Sequence, residues 1–199
     1  KIFDYELQIF NNLLNSVCEQ MGNLMQRSSI SINIKDRKDF SCALFDSNGN
    51  MISQASHIPV HIGSMSHNVK SIIKDFNIRE GDIFISNDPF NGGTHLPDIT
   101  CVAPFFHKNN LELFLATRGH HSDIGGISPG SMPISKNIHE EGLLIKTSLI
   151  RRKKRVHNKL IQDIAKASRA PEERYGDLKA QIATLDFADK KLNEIYKKY

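Results

Sequence analysis

The sequence has no tryptophan and only three cysteines among 199 residues. Cys18, Cys42 and Cys101 each sit beside apolar residues, and none forms a Cys-x-x-Cys pair. A disulfide framework and a thiolate zinc site are therefore not expected, and a reducing, cytoplasmic compartment fits. No apolar run approaches the roughly 20 residues that cross a bilayer. The opening residues, Lys1-Ile2-Phe3-Asp4, lead straight into an amphipathic pattern, so no signal peptide is expected. Neither a Walker A motif nor a Gly-x-Gly-x-x-Gly loop occurs, so nucleotide chemistry would have to come from another chain. Internal repeats and low-complexity tracts are also absent.

What is there has ordinary globular composition, 39% apolar and 24% charged, in a chain long enough to bury a core. The net charge of +4 and pI of about 8.9 are only mildly basic. The run Arg151-Arg152-Lys153-Lys154-Arg155 has no aromatic interleaving. It reads as a solvated linker or a docking surface rather than a nucleic-acid site.

Apolar residues at Phe3, Leu7, Phe10, Leu14, Val17, Met21 and Leu24 recur at gaps of three and four, which predicts a long packing helix over 2–25. Residues 39–46 and 51–55 read as a hairpin around the turn pair Asn48-Gly49. Ser64 or Ser66 is placed to cap a helix that buries Val69, Ile72, Ile73 and Phe76. Strands are expected at 83–86, 99–106, 111–117 and 143–145. Pro171-Glu172-Glu173 suits the first turn of a last helix that runs almost to Tyr199. The expected fold is α+β, a mostly antiparallel sheet built from hairpins over 39–55 and 83–117 and flanked by long N- and C-terminal helices.

Two loops concentrate the chemistry. Residues 87–98 (NDPFNGGTHLPD) follow the strand at 83–86 and carry His95 and Asp98. Residues 118–126 (RGHHSDIGG) follow the strand at 111–117 and add His120, His121 and Asp123. Imidazole and carboxylate donors together suit zinc, manganese or iron. Taken locally, the same residues read equally as polar turns, since Asn87-Asp88-Pro89 is a turn signal in its own right. Asp39 reads locally as a solvated strand-end acid, and His57 and His61 as loop histidines or substrate-facing groups.

Residues 39–46, 57–65, 87–98, 118–126, 129–132, 140–142 and 169–181 together resemble the hydantoinase B family. Its members work with a hydantoinase A-type ATPase in N-methylhydantoin amidohydrolase and 5-oxoprolinase, and have relatives in caprolactamase and acetone carboxylase. The resemblance implies a divalent metal site of Asp39, His95, Asp98 and His120, with His121 as the alternative imidazole. His121 and Asp123 are then the catalytic candidates, Asp123 as ligand, orienting group or base. It also implies a division of labour: the ATPase partner phosphorylates the amide oxygen of a hydantoin, lactam or 5-oxoproline, and this subunit adds metal-activated water to that carbon. ATP would enter only through the partner. Members of the family are much longer, so 1–199 is expected to be the N-terminal metal-binding portion, with a separate C-terminal piece as a further partner. A carboxylase component of the acetone carboxylase type and a non-catalytic assembly subunit are the other readings. No nucleic-acid or membrane partner is expected.

Overall fold

A computed structural model describes residues 2–55, 61–130, 133–153 and 155–198. The chain opens with helix α1 (Ile2–Ser28) and a short helix α2 (Ile32–Lys35). The hairpin β1 (Phe40–Asp46) and β2 (Met51–Gln54) follows, then α3 (Ile62–Asp75). Next come β3 (Ile83–Ser86), β4 (Asp98–His107) and β5 (Asn110–His120). A one-turn helix α4 (Ile138–Glu141) leads to the hairpin β6 (Ser148–Arg152) and β7 (Arg155–Val156). Helices α5 (Asn158–Lys166) and α6 (Pro171–Lys198) close the order.

All seven strands join one sheet, in the order β2-β1-β5-β4-β3-β6-β7, and every described pairing is antiparallel. The sheet therefore has the expected character, with two elements reassigned. Leu143–Ile145 is not a strand; its backbone is held by the Asn87 side chain, which accepts from Ile145 N at 2.6 Å and donates to Leu143 O at 2.8 Å. The basic run is not a linker either, because Arg151, Arg152 and Arg155 pair within the edge hairpin β6–β7.

Because successive strand residues face opposite ways, the sheet sorts its side chains into two cores. Phe40, Cys42 and Leu44 of β1, Ile99, Cys101 and Ala103 of β4, and Leu113 and Leu115 of β5 pack with α1 and α6. Ala43, Phe45, Val102, Phe114 and Ala116 face the other way, against Met65, Val69 and Ile72 of α3. Helix α1 buries Leu14, Val17, Cys18, Met21 and Met25, while Leu7 is exposed. The expected stripe is thus buried through Leu14, Val17 and Met21, with Phe10 packed against it, and shifts from Leu24 to Met25 at its C-terminal end. Helix α3 starts at Ile62 with His61 at its cap position and no side-chain cap. Ser64 lies inside it, its hydroxyl donating to His61 O at 3.2 Å, so neither serine is the expected cap.

Helix α6 carries two kinds of buried residue along one stripe. Leu185, Ala188 and Leu192 cover the apolar end of the sheet, whereas Arg174, Asp177, Gln181 and Thr184 are buried nearer its N-terminus. That polar half lies over the sheet end to which β4 and β5 bring Asp98 and His120.

Candidate metal centre

Three adjacent strands carry polar pairs at the same end and on the α3 face. They are Asp39 and Ser41 at the start of β1, Asp98 and Thr100 at the start of β4, and Arg118 and His120 at the end of β5. Asp98 is registered against His120 and Thr100 against Arg118, while Asp39 O accepts the His120 N–H at 2.9 Å. Antiparallel pairing of β5 with both β1 and β4 makes this convergence unavoidable, because the C-terminal end of one strand lies beside the N-terminal ends of its neighbours.

The loop from 87 to 97 supplies His95. Asn87 is fully buried and donates to Leu96 O at 2.7 Å. Asp88 caps the short 3-10 helix Pro89–Asn91, accepting from Phe90 N at 3.0 Å and from the Asn91 side-chain amide at 2.7 Å. Gly92 follows at φ 86°, where a Cβ would overlap the backbone of Asn68. The loop is thus braced by its own polar side chains against α3, and Thr94, His95 and Asp98 are delivered together.

Asp98 is the centre of the cluster. Its Oδ1 lies 3.0 Å from His120 Nδ1, and its Oδ2 lies 2.9 Å from His95 Nδ1 and 3.5 Å from His61 Nε2. Thr94 donates its hydroxyl to the same Oδ2. Asp39 closes the group, 3.8 Å from His61 Nε2 and 3.9 Å from His120 Nδ1. His95, Asp98 and His120 each offer a donor atom, all within 4.8 Å of one another.

Burial alone would raise the Asp98 carboxyl, but the hydrogen bonds from His120, His95 and Thr94 outweigh it and hold it well below the carboxylate range. The bond to Asp98 raises His95, whereas burial lowers His61. His61 is anchored by Ser41, whose hydroxyl lies 3.2 Å from Nδ1.

These residues fit a divalent ion. Tetrahedral zinc with bonds of about 2.0–2.1 Å to nitrogen and oxygen has donor–donor edges of about 3.3 Å, and the separations around Asp98 and Asp39, 2.9 to 3.9 Å, bracket that value. His95 pairs through Nδ1 with a carboxylate, while its Nε2 is buried with no hydrogen-bond partner among the described residues. A second donor nitrogen without a partner in a carboxylate-lined site suits a metal better than a polar turn.

His121 and Asp123 are placed elsewhere. Strand alternation turns His121 to the α6 face, fully buried, with Nε2 3.0 Å from Gln181 Oε1 and Nδ1 against the Arg174 guanidinium. Burial and the Arg174 charge push its pKa well below the ordinary imidazole value. Asp123 accepts from Gly125 N at 2.7 Å and from Arg169 at 2.8 Å, and its carbonyl accepts from Arg174 at 2.9 Å. Both belong to a network that ties α6 to the loop after β5, and neither is in the group gathered around Asp98. Gly126-Ile127-Ser128-Pro129-Gly130 has the Gly-x-Ser-x-Gly spacing, but it lies in an irregular loop rather than between a strand and a helix. His57 lies outside the described residues.

Sequence reasoning undervalued His61 and assigned no role to Ser41, Thr94 or Arg118. The usable signal was the polar i, i+2 pair at the end of each strand, which marks one face of a sheet.

Residues 4–199 match the sequence model of the family described as hydantoinase B/oxoprolinase. The chain is 45% identical over 180 residues to the 5-oxoprolinase of Dictyostelium discoideum, an overlap of 89% of this chain and 14% of that protein. Its fold matches the ATP-dependent caprolactamase of Pseudomonas jessenii with a TM-score of 0.91 at 30% identity, covering 98% of this chain and 34% of that one. An acetone carboxylase structure superposes with a TM-score of 0.88 at 19% identity, covering 96% of this chain and 26% of that one, which is a likeness of fold alone. An α+β fold with one antiparallel sheet is therefore what this chain shares with these proteins. The chain belongs to the hydantoinase B/oxoprolinase family. It spans between 14% and 34% of the length of the 5-oxoprolinase and the caprolactamase.

Proposed function

We propose that this chain provides the metal-binding part of an ATP-dependent cyclic-amide hydrolase, acting on a hydantoin, lactam or 5-oxoproline ring. The observation that carries the reading is the convergence of Asp39, His95, Asp98 and His120 at one sheet end, with His95 Nε2 buried and without a hydrogen-bond partner among the described residues. Those residues would hold the ion. A bound zinc, manganese or iron ion supplies a Lewis acid and draws the pKa of a water toward neutrality.

The chain's own residues do the rest of what the site requires. Asp98 lies between the Nδ1 atoms of His95 and His120, so its carboxylate gathers both rings around one space. Ser41 holds His61 so that its Nε2 faces the space shared by Asp39 and Asp98. The caprolactamase is described as ATP-dependent, and no phosphate-binding loop occurs in this chain. A hydantoinase A-type ATPase subunit would therefore activate the ring carbonyl. No described helix is long and apolar enough to cross a membrane.

Elemental analysis of the purified protein after dialysis tests the reading. About one divalent metal per chain is expected for a site of this ligand count. No metal as isolated, together with no uptake of zinc, manganese or iron on reconstitution, would overturn it.

A further inference from the structure

Arg118 is one of the largest fully buried side chains in the protein. It points to the α3 face from β5, two residues before His120. Among the described residues no carboxylate lies within ion-pairing distance of it. All its described partners are neutral. Nε donates to Thr100 Oγ1 at 2.7 Å, and Nη2 donates to Gly92 O at 2.7 Å. Nη1 donates to His61 O at 3.2 Å and also to the Ser64 hydroxyl.

Burying a guanidinium whose described hydrogen bonds all go to neutral acceptors is unfavourable, and burial pushes the Arg118 pKa down to about 10 although the Asp98 charge acts to raise it. What the arrangement gains is geometric. Thr100 shares β4 with Asp98. Gly92 lies in the loop that carries Thr94 and His95, two residues before Thr94, and Asn68 leaves no room there for a side chain. His61 and Ser64 bring the start of α3. The planar fork presents its donors at fixed angles, so their acceptors cannot move independently. A lysine ammonium would keep the charge but not those angles.

We propose that Arg118 is the positioning residue of the metal centre: its fork locks the loop bearing His95 and the segment bearing His61 against the strand ends bearing Asp98 and His120. Arg118 touches none of the proposed ligand atoms and acts through the backbone that holds them. This rests on the metal reading above, and the test separates the two.

The test is titration of the intact protein with Co(II), following both affinity and the visible d–d spectrum, which reports ligand geometry. Wild type, Arg118→Lys, Ser64→Ala, Thr100→Val and the same-face core variant Val102→Ala are compared, with thermal melts of each. Arg118→Lys is expected to bind about 10–100-fold more weakly, the usual cost of losing a group that orients metal ligands, with an altered spectrum. Val102→Ala, which loses stability without touching the fork, is expected to keep both affinity and spectrum. Wild-type affinity and spectrum in Arg118→Lys would overturn the proposal, as would an equal loss in Val102→Ala. Should Arg118→Lys fail to fold, Ser64→Ala and Thr100→Val decide the matter. Each removes one acceptor and is expected to weaken binding and shift the spectrum, and no change in either variant overturns the proposal. A wild type that takes up neither Co(II) nor zinc sinks the metal reading itself, and this inference with it.

Discussion

Replacing Asp98 by asparagine tests the centre of the site without changing its shape. The Asp98 carboxylate is buried and accepts from Thr94, His95 and His120. Asparagine keeps one acceptor oxygen and turns an NH2 group toward donors. Hydrogen bonds to charged groups contribute about 1.5–3 kcal/mol each. Losing one or two of them, with a donor left facing donors, gives an expected loss of about 3 kcal/mol in the metal-free protein. That loss should depend on pH. The folded-state carboxyl sits far below its ordinary value of 3.8, so its contribution is present above pH 3.8 and is lost as pH falls below it. The bond to Asp98 raises His95 above 6.5, so the contribution from His95 is full below pH 6.5 and fades as pH rises through the folded-state value. The wild-type advantage is therefore largest between pH 3.8 and 6.5. Below that window the wild type should lose stability faster than Asp98→Asn, by about 1.4 kcal/mol per pH unit for one proton. Urea unfolding in EDTA over a series from pH 3 to 8 measures it. A difference between the two proteins that stays constant across the series would refute this account of the site.

Three further outcomes are expected. His95→Ala should lose bound metal completely while keeping its circular dichroism spectrum, with a stability loss limited to the one hydrogen bond to Asp98, about 1.5–3 kcal/mol; metal retained by the variant would reject His95 as a ligand. Asp177→Ala should cost about 3–5 kcal/mol by urea unfolding, since it strands the N–H groups of Ile30 and Ser31 and leaves the buried Arg174 without its closest fully buried acid; a loss below about 1 kcal/mol contradicts that. Gly92→Ala should lower stability by more than about 2 kcal/mol, combining the left-handed backbone cost with overlap on Asn68, and a melt within a degree of wild type would show that the loop simply moves aside.

Local sequence was a good guide where one physical effect dominates. The strands at 83–86, 99–106 and 111–117 follow from apolar, β-favouring residues, and the hairpin at 48–49 from Asn-Gly, whose glycine takes φ 80°. Leu143–Ile145 misled because an apolar run of that length fits a strand and a buried loop equally well. A single side chain, Asn87, decided for the loop. The basic run misled because charge density says nothing about strand pairing.

The candidate site divides in the same way. Its donor types and their placement in two loops after strands were legible by themselves, because His, Asp and glycine carry that chemistry whatever surrounds them. His120 and His121 were not separable, since adjacent residues have the same local context. Only the phase of β5 turns one to the α3 face and the other to Gln181 and Arg174. Asp39 looked like a solvated acid until the pairing of β1 with β5 set it beside His120. What the sequence determined alone is the strands, the long helices and a set of metal-binding side chains. The strand order β2-β1-β5-β4-β3-β6-β7 decided which of those side chains meet, because residues far apart in the chain become neighbours only through the register of the sheet.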